Sequence, residues 1–373
     1  MEQLRALWRN SETERKAEEL CAAVAENLFT WPVLSRKEKW KRRIKKYILF
    51  RSVPPIDHYY WPNALLAEGL SEWMKAGGDG RGVEPLKRYY DGWLQKGLPM
   101  YCLDNGANGM PLLDLYEYTG EKKYLDGAER LAEFLQNHDR DEQGNLPYRI
   151  RQGNHIYADG LGMICPFLCR YGKKTKEGAA MELGEVQLIH FLEKGMDEGS
   201  GLPYHGFDSR TGEKYGCIGW GRAVGWLMTG LSRSLPWLTK EDPRRNLLQE
   251  RFRELVETIL DFQRGDGSFG WLLPAVEGPA DTSATAMIAC ALLEGKRDGI
   301  LDEKVDGAVL GATEFVLSCV NGGRVRQCSG ECGGFGEYPQ RYGSYPWSDG
   351  PALRLLGLLE GVASERTGTV NTV

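Results

Sequence analysis

The sequence predicts an all-α protein, an (α/α)6 barrel of six inner and six outer helices. Three observations carry that expectation. Nearly every periodic stretch repeats its apolar residues at helical spacing, not in strict alternation. The helical stretches are of two kinds that alternate along the chain, one charged and amphipathic, the other small-residue-rich and apolar on most faces. The connections are also of two kinds. Long segments rich in Gly, aromatic and polar residues lead into the apolar helices, starting near positions 51, 99, 144, 201, 264 and 328. The return connections, such as Thr119-Gly120-Glu121-Lys122, are short. This spacing resembles a degenerate helical-hairpin repeat.

In chain order, amphipathic Ser11–Leu28 precedes apolar Asn63–Lys75, and Pro85–Gln95 precedes Gly109–Tyr118. Lys122–Asn137 then pairs with Gly160–Tyr171, and Lys176–Lys194 with Gly221–Leu235. Asp242–Gln263 leads to Ser283–Leu293, and Asp302–Cys319 to Gly350–Val362. An amphipathic helix buries one face, whereas a helix apolar all round needs cover on both sides. The apolar set is therefore the inner ring. No Pro/Gly/Ser-rich linker divides the chain, so one barrel is expected over residues 1–373. Long connections in compact domains are usually functional, which puts the site at the long-loop end. An open α-solenoid for protein binding accounts for the helix pairs too. It gives no reason to gather aromatic and ionisable residues in one class of loop.

The chain is long enough for a sizeable core, and its apolar content of 42% is ordinary. A net charge of −5 argues against recruitment of nucleic acid by a global basic field. The basic cluster Arg36–Arg51 reads as a solvated helix face. The start, Met1-Glu2-Gln3-Leu4-Arg5, lacks the apolar run of a secretory signal, and no stretch approaches a membrane span. Nine scattered cysteines, several in apolar helices, read as reduced thiols, and a cytoplasmic protein is expected. Cys328 and Cys332 are spaced like half a metal site with no second pair nearby, so no metal and no cofactor are expected. Walker loops, dinucleotide fingerprints, His-Glu-x-x-His and Gly-x-Ser-x-Gly are absent.

Candidate site residues cluster at the entrances of inner helices. Asp159 lies in His155-Ile156-Tyr157-Ala158-Asp159-Gly160, just before an apolar run. It reads either as an N-cap or as a proton donor. Asp104, opening the preceding inner helix, is its natural carboxylate neighbour; Asp208 and Asp281 read as caps or turn residues. His205 sits in the polar loop Tyr204-His205-Gly206-Phe207-Asp208. Arg222 opens an inner helix, where a cation opposes the helix dipole and calls for an anion, whether a ligand or a carboxylate such as Asp208. Trp226 is one turn further on the same face. Trp61, Tyr157 and Trp220 lie in or beside the long loops, as do Trp271, Tyr338 and Trp347. Carboxylic acid, imidazole, guanidinium and aromatic faces together suit a charged sugar.

These segments resemble the unsaturated uronyl hydrolases, specifically the unsaturated rhamnogalacturonyl hydrolases of glycoside hydrolase family 105, with family 88 as the near relative. The resemblance runs from about Tyr59 to the last inner helix. It is carried by Tyr157-Ala158-Asp159-Gly160-Leu161-Gly162-Met163, Tyr204-His205-Gly206-Phe207-Asp208, Trp220-Gly221-Arg222-Ala223-Val224-Gly225-Trp226 and Asp281-Thr282-Ser283-Ala284-Thr285-Ala286-Met287. It implies the same barrel and a reaction on the C4=C5 double bond that a polysaccharide lyase leaves in a terminal uronic acid. It also implies Asp159 as the acid/base supported by Asp104 and His205, with Arg222 and Trp226 contacting the uronate. The implied partner is an unsaturated galacturonyl or glucuronyl oligosaccharide, with no nucleic acid and no membrane.

The chain departs from the family pattern where Tyr157 and Phe207 replace the usual Trp, where the stretch between Asp208 and Trp220 is short, and in the Cys- and Gly-rich segment Cys328–Trp347. These departures are expected to face the leaving sugar. Epimerases of this architecture use several catalytic histidines, and lanthionine-type cyclases need Cys and His zinc ligands. A non-catalytic sugar-binding or scaffold barrel is the non-enzyme alternative.

Overall fold

A helix whose whole circumference is apolar must be surrounded, and the inner helices are. The computed structural model describes residues 1–50, 58–77, 80–148 and 154–364. In chain order its α-helices are α1 Glu2–Trp8, α2 Ser11–Thr30, α3 Arg36–Arg43, α4 Trp61–Gly77, α5 Val83–Gln95, α6 Gly109–Thr119 and α7 Lys122–Gln136. They continue as α8 Ala158–Thr175, α9 Gly178–Lys194, α10 Gly221–Ser234, α11 Pro243–Leu260, α12 Thr282–Arg297, α13 Asp306–Cys319 and α14 Pro346–Ser364. All 14 residues of α10 are buried, as is the run Pro62–Met74 of α4. By contrast α7 buries Tyr124, Gly127, Ala128, Leu131, Ala132 and Leu135, a single stripe at helical spacing.

The inner helices α4, α6, α8, α10, α12 and α14 each pack on the next, and α14 packs on α4, closing the ring. The expected (α/α)6 barrel is therefore formed, with α2, α5, α7, α9, α11 and α13 outside it. Small residues let the ring close tightly. A Cβ on Gly350 would stand 2.3 Å from the Leu65 carbonyl oxygen, so α14 meets α4 backbone to backbone.

The barrel is not a pore. Arg233 of α10 reaches Glu68 of α4, the helix opposite it in the ring, at 2.7 Å. Arg354 of α14 pairs with Glu294 of α12, and Arg170 of α8 with Asp114 of α6 at 2.6 Å. Burial opposes the charge on Asp114, but Arg170 and Lys75 outweigh it and hold the carboxyl below its usual range. Removing one partner of such a buried pair strands the other, so the pairs fix the ring's register.

The basic cluster forms α3 and the turn after it, exposed as expected over residues 36–50 except at the half-buried Arg42 and Ile44; Arg51 and the start of the first long loop lie outside the described residues. Among the described residues no helix is long and apolar enough to cross a membrane.

Candidate active site

The site is assembled by a small sheet that helical periodicity does not reveal. Strand β1 (His155–Tyr157) pairs antiparallel with β2 (Gly206–Asp208), and β2 with β3 (Lys214–Tyr215). Tyr157 stands opposite Gly206, and the Ala158 N–H donates to the His205 carbonyl at 2.9 Å. Residues 46 positions apart are thereby brought together: His205 Nε2 lies 3.0 Å from Asp159 Oδ2. Gly206 is required by this approach. A Cβ there would stand 2.2 Å from the Ile156 carbonyl oxygen and 2.7 Å from the Phe335 ring.

Asp159 is not the helix cap. α8 begins at Ala158 with Tyr157 in the cap position, and the Asp159 carboxylate turns instead to His205. It lies in the first helical turn, where the helix dipole favours negative charge. On the other side, His205 Nδ1 is 2.8 Å from the Tyr338 hydroxyl, which also hydrogen-bonds the Cys217 backbone. Burial raises the Tyr338 phenol above its usual range, so it stays a neutral O–H. His205 is 1% exposed, and its ring packs among Tyr157, Trp220 and Phe335.

Asp104 lies in a 3-10 turn, Leu103–Asn108, that leads into α6. It hydrogen-bonds the Tyr148 hydroxyl, whose ionisation is opposed first by burial and then by the charges of Asp104 and Asp159. Tyr148 thus senses both carboxylates. Cys332 occupies the same neighbourhood. Burial, and then the charge of Asp159, push its thiol up to about 12, while Arg222 pulls the other way.

Arg222, in the first turn of α10, does not reach Asp208. Its Nη1 donates to Ser329 Oγ at 2.7 Å and to the Ser329 carbonyl at 3.1 Å, and Nη2 donates to the Gly330 carbonyl at 2.8 Å. Asp281 Oδ2 is 3.8 Å away. Asp281 caps α12 by accepting from the Ser283 N–H, while Asp208 closes a turn through the Arg210 and Thr211 N–H groups. The Arg222 guanidinium also lies over the Trp220 ring, 4.7 Å from its centroid.

The aromatics divide. Trp61 and Tyr157 keep part of their surface open. Trp220 and Trp226 are 1% and 2% exposed, and Trp226 packs on Gly162 of α8 and edge-on to Trp61 at 6.4 Å. As placed, neither offers the open ring face expected of a sugar platform. Phe207 is likewise buried against Phe191 of α9, so its departure from Trp alters the core and not a sugar-facing wall. Sequence reading passed over Phe335, which stacks on Tyr157 at 4.0 Å and on Tyr215 at 5.3 Å. It also passed over Tyr148 as a carboxylate partner. The signal for Phe335 was present in the Gly-rich Cys328–Trp347 segment.

The family described as Glycosyl Hydrolase Family 88 matches residues 35–356. The chain belongs to that family and is a glycoside hydrolase. It is 27% identical over 261 residues to the unsaturated rhamnogalacturonyl hydrolase YesR of Bacillus subtilis, covering 68% of this chain and 76% of that protein. The fold is also that of a possible GH105-family member from Klebsiella pneumoniae (TM-score 0.82, 19% identity, 94% of this chain and 93% of that one). The unsaturated glucuronyl hydrolase of Bacillus sp. GL1 shares it as well (TM-score 0.71, 19% identity, 94% and 98%). Membership in this family removes the epimerase, cyclase and scaffold alternatives.

Proposed function

We propose that this enzyme removes a Δ4,5-unsaturated galacturonyl or glucuronyl residue from the non-reducing end of lyase-generated oligosaccharides. The observation that carries the reading is the hydrogen-bonded line Tyr338–His205–Asp159 at the mouth of the inner ring. In this mechanism Asp159 gives its proton to C4, and the electron deficit left at C5 is shared by the ring oxygen. Water adds at C5 and returns a proton to the Asp159 carboxylate. The resulting hemiketal collapses to a C5 ketone, the ring opens, and C1 releases the leaving sugar. One carboxyl group thus serves as acid and then as base.

The line explains how Asp159 is kept ready. When Asp159 holds its proton, it donates to His205 Nε2, so Nδ1–H donates to Tyr338. When Asp159 is ionised, Nε2–H donates to it, and the Tyr338 hydroxyl rotates to donate to Nδ1. Both states keep every hydrogen bond made. Trp61 and Tyr157, with Phe335 behind Tyr157, line the sugar. Asp104 holds Tyr148 beside the acid.

Incubation with a panel of unsaturated galacturonyl and glucuronyl disaccharides tests the reading. Absorbance of the conjugated alkene is expected to fall for at least one of them; none falling overturns it. Tyr338→Phe is expected to lower kcat roughly 2- to 13-fold, the worth of one neutral hydrogen bond, to leave KM unchanged and to shift the pH–rate profile. An unchanged kcat and profile would remove Tyr338 from the mechanism. Among the described residues no group of three His, Cys, Asp or Glu side chains is arranged to hold a metal ion. The chemistry proposed needs only a proton donor and water, so activity is expected to survive exhaustive chelation. Loss on chelation with recovery on adding zinc would count against it.

A further inference from the structure

The segment Arg36–Phe50 is out of keeping with the rest of the molecule. It carries eight basic residues and one acidic residue, Glu38. With the whole chain at −5, that leaves −12 on the remainder. Among the described residues, six of the ten exposed large apolar side chains fall at or beside it: Val33, Trp40, Tyr47, Ile48, Leu49 and Phe50, with Phe50 88% exposed. Neither α3 nor the turn Ile44–Ile48 buries a single residue. A helix of eight residues is marginal alone in water, even with the capping box that Ser35 and Glu38 provide. Exposed apolar surface gathered in this way marks an interaction site.

The described residues on either side of the segment meet at one point on the barrel. His58 Nδ1 meets the Trp31 carbonyl at 2.5 Å, and Trp31 Nε1–H donates to Tyr60 at 3.0 Å. Trp31 also packs edge-on against Trp347 of α14. The base therefore lies where α4 and α14 begin, at the end of the ring that carries Asp159. The occupant must be apolar enough to cover Ile48, Leu49 and Phe50, and acidic enough to meet a net +7. A sugar chain gives no cover to aliphatic side chains. A second copy of this chain carries the same net −12 outside its basic segment and exposes apolar side chains of its own at Tyr101, Tyr118, Leu247 and Val276, and it presents its own basic segment in return.

We propose that Arg36–Phe50 docks on a second copy of this chain and that the enzyme is a dimer through reciprocal contacts of these segments with acidic outer surfaces. The mechanism above does not depend on it, so activity on an unsaturated disaccharide is a separate readout. Light scattering and sedimentation velocity of the full chain are expected to give about twice the chain mass of 41.9 kDa at roughly 10 µM, falling toward one chain on dilution or in molar salt. Trp40→Glu/Phe50→Glu and, separately, Lys39→Glu/Lys41→Glu/Lys45→Glu are expected to be monomers with unchanged helical circular dichroism and at least 100-fold weaker association. A monomeric wild type over the whole dilution series overturns the proposal, with no variant needed. So does a dimer that survives both sets of substitutions. A monomeric wild type that floats with phosphatidylserine vesicles, or binds an acidic oligosaccharide through this segment, would replace the second copy with that partner.

Discussion

Asp159→Asn is expected to lower turnover of an unsaturated disaccharide by roughly 10²–10⁴-fold, the loss typical of a missing general acid–base group. The substitution keeps the shape and removes the proton. It also keeps a hydrogen-bond partner for His205, because an amide oxygen can accept from Nε2–H in place of Oδ2, 3.0 Å away in the wild type. The helix start should be untouched, since Tyr157 and not Asp159 holds the cap position of α8. The melting temperature is therefore expected to change by no more than the few degrees of a roughly 1 kcal/mol effect. A variant with near wild-type turnover would end the assignment of Asp159 as the acid. One that is inactive but unfolded would leave the tautomer argument to the Tyr338→Phe profile.

The ring of helices was legible because burial on all sides writes itself into composition. In α12, the run Thr282–Gly295 is buried throughout, and its sequence holds no charged residue before Glu294. The sheet that joins the Asp159 and His205 loops was not legible. Strands of two or three residues are too short for alternation to register, and His155-Ile156-Tyr157 has no partner visible along the chain. The same limit hid the acceptors of Arg222. Two of its hydrogen bonds go to backbone carbonyls, of Ser329 and Gly330, and a carbonyl has no residue type to be read. The aromatic positions misled for a physical reason. Trp serves equally as wall and as platform, and only the exposure of Trp61 against the burial of Trp226 separates the two.

Arg222 is where wall and platform meet, and its substitution is the second large effect expected. Arg222→Ala leaves Asp281, which is fully buried, without its nearest cation, and removing one partner of a buried pair costs about 3–5 kcal/mol. It also releases Ser329 and Gly330, and with them the segment that carries Cys332 to the neighbourhood of Asp159. Arg222→Lys keeps the charge but not the fork, so it is expected to fold better and still lose activity. The hydrogen bonds of Arg222 to the described residues come from Nη1 and Nη2. We propose that the Nε side of the five-donor fork takes the substrate carboxylate, held in place by the loop on its other side. A charge-assisted hydrogen bond is worth about 1.5–3 kcal/mol, so losing one should cost roughly 10- to 150-fold in kcat/KM. Comparing the acid substrate with its methyl ester separates this role from loop support. Wild type should strongly prefer the acid, and the preference should shrink in Arg222→Lys. An acid-to-ester ratio that stays at the wild-type value while both rates fall would make Arg222 a positioning residue alone, and the uronate's anion would then be held by another group.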